Sequence, residues 1–395
     1  MTSRGRSALA LGTATYLVAR FFGSKPLYPV ALGLVFLVLV TWLWIRLCDR
    51  PLRLRRTVGQ GEHLEGDAVP VELRLERSGR LPLGPVAVVE RIGRLGQRRT
   101  PLERGRGGYV LGNLPRGRYT FEQAQAVLED PFALHRLEID LPAGAAVVVY
   151  PRLVELDRLF SETGLQAHDG RRLLLRRLSG FDLHSVREYE QGESLRRVHW
   201  RSTAKRGQLM VKELEDSPRD EVAVVLDADA SAVVDESFDV QVRAAGSILR
   251  SHVLSGRRAV LVVNAVRREV QRVHSFDGDW RQALELLAAA EPTGVTPLAA
   301  LLADEAAAIS RTLELAVVTA ALSPRLVERL IERALSHRAV SLVYVDPSSF
   351  NGVRPRPQPG LLRLQAAGVP VAVLRRGDDL AEQLSAPLVT GAARA

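Results

Sequence analysis

Residues 30–45 read VALGLVFLVLVTWLWI, a run without a single charge, and such a stretch must find lipid or protein to cover it. With its flanks from Pro26 to Cys48 it reaches the ~20 residues a helix needs to cross a bilayer. Trp42 and Trp44 lie near its exit, where amphipathic rings favour the interface. An earlier apolar stretch, Ala8 to Phe22, is shorter and carries Thr13, Thr15, Tyr16 and Arg20. Alone it reads as the core of a signal peptide or as the first leg of a hairpin. No persuasive small-residue cleavage site precedes the second stretch. The sequence therefore predicts a transmembrane helical hairpin, with Gly23-Ser24-Lys25 at its turn.

Charge sets the expected orientation. Residues 1–56 hold nine basic side chains and one acid, Asp49, so +8 of the net +9 sits there. Arg4 and Arg6 precede the hairpin and five arginines follow it from Arg46 to Arg56, against Arg20 and Lys25 around the turn. The positive-inside rule then puts both ends in the cytoplasm of a multi-pass membrane protein. If the first stretch does not span, the same run leaves the bulk of the chain outside. The basic footprint of a nucleic-acid binder would lie on the folded domain itself, and here the excess lies beside the membrane. Cys48 is the one cysteine, so the fold is built without an intramolecular disulfide.

Beyond residues 1–51 the chain changes period. Val71, Leu73 and Leu75 alternate with Glu72, Arg74 and Glu76, as in a half-buried strand. Further short strands are predicted at Val86–Val89, Tyr109–Leu111, Tyr119–Phe121 and Val147–Tyr150, with glycine-rich turns between them. Residues 52–151 thus read as an all-β sandwich. From residue 221 to 395, apolar runs at Val222–Leu226, Ala259–Val263, Leu315–Thr319, Leu342–Val345 and Val371–Leu374 alternate with helical spacing. Phe238, Val242, Ala245, Leu249 and Val253 form one stripe, and Ser323-Pro324 opens a later helix. That alternation predicts a doubly wound α/β domain.

The connector, residues 152–220, holds the densest motif: REYEQGESLRRVHWRSTAKRGQLMVKE from Arg187 to Glu213. Arg187, Glu188, Tyr189, Gly192, Glu193, Arg196, Arg197, His199, Trp200, Lys205 and Gly207 are its candidate partner-binding or structural residues. Residues 170–206 carry ten Arg or Lys against four acids, which reads as a partly paired face, a docking surface for an acidic protein partner, or a phosphate or nucleic-acid site. Gly192 and Gly207 fit tight turns around a short arginine-rich element. The motif resembles the signature of the bacterial domain of unknown function 58 family, with Glu193 where that family usually has Asp. The turn Asp130-Pro131-Phe132-Ala133-Leu134 also resembles one seen there, with Ala133 in place of a frequent Gly. The resemblance implies a membrane-anchored protein encoded beside a MoxR-type AAA+ ATPase partner, which would supply the ATP-binding site.

Open parallel sheets bind ligands at the carboxyl ends of their strands. There the first strand offers Asp227, Asp229 and Ser231 at alternate positions, hard oxygen donors suited to Mg2+. This resembles the first metal-site motif of von Willebrand factor A domains, with Asp229 in place of a serine. Thr296, in Gly294-Val295-Thr296-Pro297-Leu298, falls on that family's threonine ligand. Its third element, an Asp after the fourth strand, is replaced here by Thr319-Ala320-Ala321. The expectation is a degenerate, metal-free site of this type. No Ser-His-Asp order, Walker sequence, HExxH or Cys/His metal spacing is present, and no catalytic residue is nominated. The expected function is a non-enzymatic accessory or scaffold protein in membrane lipid. The alternatives are a metal-dependent hydrolase or nuclease using Asp227 and Asp229, or an envelope structural protein with an external soluble part.

Overall fold

A computed structural model describes residues 1–49, 51–59, 61–77, 86–142, 144–156, 158–161, 183–188, 200–214, 221–276, 278–304, 309, 312–336, 338–353 and 357–385. For 183–188, 200–202, 211–214 and 221 the description is of the backbone. The chain divides into two compact units, Met1–Tyr150 and Pro151–Ala395.

The first unit opens with α1 (Ser3–Phe22) and α2 (Leu27–Cys48). Thr2 caps α1 by accepting from the Gly5 amide at 3.2 Å, and Gly23, at φ 64°, ends it in the left-handed conformation. The helices pack closely: a side chain at Gly12 would lie 3.2 Å from both Leu34 Cβ and Val35 Cγ2. Tyr16 meets Tyr28 edge to face at 5.8 Å. Among the described residues one helix, α2, is long and apolar enough to cross a membrane. Of the expected pair of spans α1 falls short of that measure, because it carries Arg4, Arg6, Thr13, Thr15 and Arg20 along its length.

Two sheets follow. Strands β1 (Leu52–Val58), β3 (Val69–Arg77) and β6 (Arg106–Leu111) form a three-stranded antiparallel sheet in the order β1-β3-β6. The second sheet runs β2 (His63–Leu64), β9 (Ala146–Tyr150), β7 (Gly117–Glu129), β4 (Val86–Ile92), β5 (Gly96–Leu102). Strand β8 (Arg136–Leu141) pairs with the later half of the long β7, while β9 takes its earlier half. The alternation at Val71, Leu73 and Leu75 points all three side chains into one apolar cluster with Val86, Val88, Phe121 and Leu128 of the second sheet. Ile45 and Cys48, at the end of α2, belong to the same cluster.

In the second unit, β10 (Leu183–Glu188) pairs antiparallel with β11 (Met210–Leu214), and a short helix, α3 (Trp200–Arg206), precedes β11. The remainder is one six-stranded sheet. Its order is β14 (Arg268–Val273), β13 (Arg258–Asn264), β12 (Glu221–Asp227), β15 (Glu314–Thr319), β16 (Ala339–Val345), β17 (Val371–Leu374). All neighbours are parallel except the edge strand β14, which returns antiparallel along β13.

Alternate residues of the central strands feed two cores. Val222, Val224 and Leu226 pack with α4 (Ser237–Leu254), α5 (Trp280–Ala289) and α9 (Leu380–Leu384). Ala223 and Val225 pack with α6 (Leu298–Ala303), α7 (Pro324–Leu335) and α8 (Pro359–Ala366). Burial on both faces is why these strands read as unbroken apolar runs. The stripe Phe238, Val242, Ala245, Leu249 and Val253 is buried along α4. Ser323 caps α7 by accepting from the Leu326 amide at 3.2 Å, with Pro324 in the first turn.

Candidate functional site at the carboxyl edge of the sheet

Strand β12 is central, so its end lies where crossovers leave in opposite directions, the place where such sheets form a crevice. Asp227 closes that strand and is only 2% exposed. Its Oδ1 accepts from Asn264 Nδ2 at 3.1 Å, at the end of β13. Its Oδ2 accepts from the Thr319 hydroxyl at 2.7 Å, at the end of β15. Thr319 Oγ1 in turn accepts from the Ala321 amide at 2.9 Å, and Asn264 Nδ2 also donates to the Thr296 carbonyl at 2.9 Å. One carboxylate thus pins three strand ends and the loop before α6. Burial pushes the Asp227 carboxyl above its ordinary range, and the Thr319 and Asn264 bonds draw it partly back.

The loop is fastened from its other side by Gly294, whose amide donates to the Ala228 carbonyl at 2.7 Å while its carbonyl accepts from the Ala230 amide at 3.1 Å. A side chain at Gly294 would strike the Asn264 carbonyl and come within 2.8 Å of the Ala228 carbonyl, so glycine is what lets the two backbones meet. Beyond the strand, Asp229 Oδ1 accepts from the Ser231 amide at 2.9 Å and its hydroxyl at 2.7 Å, closing a small turn.

Asp227, Asp229, Ser231 and Thr296 are therefore brought to one end of the sheet. Asn264 and Thr319 complete the cluster and are absent from the sequence-based set. Each is a polar residue ending an apolar strand, which is the signal that could have found them. As a cation cage the arrangement fits poorly. Asp227 has both oxygens committed to protein donors, and Asp229 is bonded to Ser231. Among the described residues no group of three or more His, Cys, Asp or Glu is assembled to hold a metal ion.

The connector motif is only partly within view. Arg187 and Glu188 lie on β10, opposite Val211 and Met210. Tyr189, Gly192, Glu193, Arg196, Arg197 and His199 lie outside the described residues. Trp200 opens α3, Lys205 is exposed on it, and Gly207 follows at φ 71° with its amide on the Thr203 carbonyl at 2.9 Å. Gly207 is a left-handed helix stop, which a residue with a side chain would adopt only under strain. The Thr203 hydroxyl accepts from the Met210 amide at 3.0 Å, so the turn after the helix is locked by the helix itself.

Among solved structures, a conjugative transposon lipoprotein from Bacteroides eggerthii DSM 20697 is 16% identical, covering 23% of this chain and 96% of its own, with a TM-score of 0.14. Cwp6 from Clostridium difficile is 8% identical over 83% of this chain and 46% of its own, with a TM-score of 0.16. At these TM-scores neither likeness bears on the fold. The Bacillus subtilis (strain 168) protein named "Uncharacterized protein YeaD" is 24% identical over 190 residues, 48% of this chain and 47% of YeaD. The match thus spans about half the length of that relative. Residues 185–366, from β10 through α8, match the family described as Protein of unknown function DUF58.

Proposed function

We propose that this chain is a membrane-anchored accessory or scaffold protein without catalytic activity of its own, working with a MoxR-type AAA+ ATPase in the assembly or activation of other proteins. The observation that carries this reading is the state of Asp227. Both of its oxygens accept from protein donors, Asn264 and Thr319, inside the fold, which supports a positional use of this carboxylate. A buried carboxylate used in this way positions strand ends and loops. The strand order, with five parallel strands and an antiparallel edge, supports the von Willebrand factor A-like reading of the second unit. The apolar cluster shared by the two sheets of the first unit supports the β-sandwich reading.

On the same reading α1 accompanies α2 across the bilayer, multi-pass, and both soluble units face the cytoplasm. The close packing at Gly12 favours that pairing, since small residues let membrane helices approach. The arginine bias around the two outer ends favours the orientation. The ATPase and its nucleotide are drawn from the family resemblance. The connector, with exposed Lys205 and Leu209, is assigned as the docking surface.

Affinity purification of tagged full-length protein from native membranes, with mass spectrometry, tests this. The expected result is specific recovery of an AAA+ ATPase, lost in an Arg196→Ala/Trp200→Ala variant that still folds. Recovery of no such ATPase contradicts the reading and turns attention to divalent-ion-dependent hydrolysis at Asp227 and Asp229.

A further inference from the structure

The turn between β7 and β8 is held rigidly and leaves one aromatic ring in the open. Asp130 is 3% exposed, and its carboxylate accepts from the amides of Phe132, at 2.9 Å, and His135. Ala133 sits at φ 54°, and its amide donates to the Asp130 carbonyl at 2.9 Å. Phe132, between them, is 57% exposed. In the sheets of this unit Tyr119, Phe121 and Tyr150 are 1–5% exposed, so a fixed, uncovered phenyl ring on a turn between their strands stands out.

The same turn is bound to the base of the helical pair. The Thr2 amide donates to the Leu134 carbonyl at 2.9 Å, and the Thr2 hydroxyl to the Ala133 carbonyl at 2.7 Å. The Leu134 carbonyl leaves no space for a side chain at Gly5. His135 Nδ1 lies 3.2 Å from the Thr41 hydroxyl of α2. Thr41 is well inside that helix, which continues to Cys48. At 1.5 Å per residue, α2 from Leu27 to Thr41 extends about 21 Å beyond the turn, and α1 from Gly5 to Phe22 about 26 Å. A bilayer's hydrocarbon core is about 30 Å thick. Both lengths fall short of it, so the helices can cross it only if the turn that grips them is drawn down to the edge of the hydrocarbon itself.

We infer that the Asp130–Leu134 turn is a second membrane contact, with the Phe132 ring seated at the boundary between headgroups and acyl chains. The inference rests on the membrane-anchored reading above. The neighbourhood suits that depth. Trp42, next to Thr41, is 49% exposed, and Arg46 lies 5.9 Å over its ring. Arg4 and Arg6, exposed on the first turns of α1, are placed to meet lipid phosphates. The β module is thereby fixed against the bilayer surface, and its orientation to the membrane is set by the turn as well as by the tether at Cys48.

Nitroxide labels on the full chain test this in vesicles of phosphatidylcholine and phosphatidylglycerol, with Cys48→Ala removing the native thiol. Labels go on Phe132→Cys, on Phe36→Cys (68% exposed on α2) and on Val110→Cys (53% exposed on β6). Collisions with oxygen report lipid, and those with a water-soluble nickel chelate report solvent. The expected result is a several-fold lower nickel-chelate collision rate at 132 than at 110, and lipid-like behaviour at 36. A label at 132 as open to the chelate as the one at 110, with 36 lipid-like, overturns the inference and leaves the anchor standing. Water-like behaviour at 36 as well overturns both.

Discussion

His252, on α4, is 3% exposed and faces charge on two sides. Arg257 Nη1 lies 3.0 Å from its Nδ1, and Arg257 pairs with Glu314 at 2.8 Å. A guanidinium can donate to that ring nitrogen only if it is bare, so the imidazole is neutral in the fold. Burial is the main cause, taking its pKa from the ordinary 6.5 to about 4, against the pull of Glu314. Because the folded value is depressed, the stability that His252 contributes is present above pH 6.5 and lost as pH falls towards 4. The expected loss is up to about 3 kcal/mol. Thermal unfolding followed from pH 7 to 4 should show this fall, and His252→Gln should flatten it. An unchanged slope in the variant would assign the acid sensitivity elsewhere. Arg56 behaves in a related way. It is bonded to Glu90, whose other oxygen accepts from the Tyr109 hydroxyl at 2.7 Å, and it lies 4.2 Å over the Phe121 ring. Breaking such a buried pair leaves an uncompensated charge, so this cluster clamps the two sheets.

At the scale of elements, contact between α1 and the β7–β8 turn depends on Gly5. Gly5→Ala should destabilise the first unit by about 1–3 kcal/mol, because the clash is with a backbone carbonyl that cannot rotate away. Gly33→Ala on α2, where the space is open, serves as the comparison and should be neutral or slightly stabilising. Equal melting temperatures for the two variants would mean that the turn does not hold α1. Much of the element pattern was legible in advance, because apolar runs buried on both faces and the period-two strand at Val71–Leu75 advertise themselves. Strand β14 was not. Its sequence REVQRV exposes most side chains at a sheet edge, so backbone pairing with β13 defines it, and no apolar period marks it. The candidate site was half legible for a like reason. Asp227, Asp229, Ser231 and Thr296 stood out by motif spacing, whereas Asn264 and Thr319 are joined to Asp227 only once three strands lie side by side.

At the scale of the molecule, the charge that suggested an orientation is unevenly available. Arg56 is among the basic residues counted beside the membrane, yet its side chain is 7% exposed and neutralised by Glu90, so it offers little to anionic lipid. Arg4, Arg6 and Arg46 remain on the surface at the same end of the helices. The orientation therefore rests on fewer charges than the sequence contains, and on their position at the base that the β7–β8 turn grips. The proposed docking role of the second unit depends on that proposed orientation, because a cytoplasmic ATPase would reach the connector only from that side.

Thiol labelling with a membrane-impermeant maleimide in intact and permeabilised cells tests that most directly, with cysteines placed at Val110 in the first unit and Leu362 in the second, both exposed. Both sites should stay unlabelled in intact cells and react fully after permeabilisation. Labelling of either in intact cells would place that unit outside and contradict the account of an accessory protein serving a cytoplasmic ATPase.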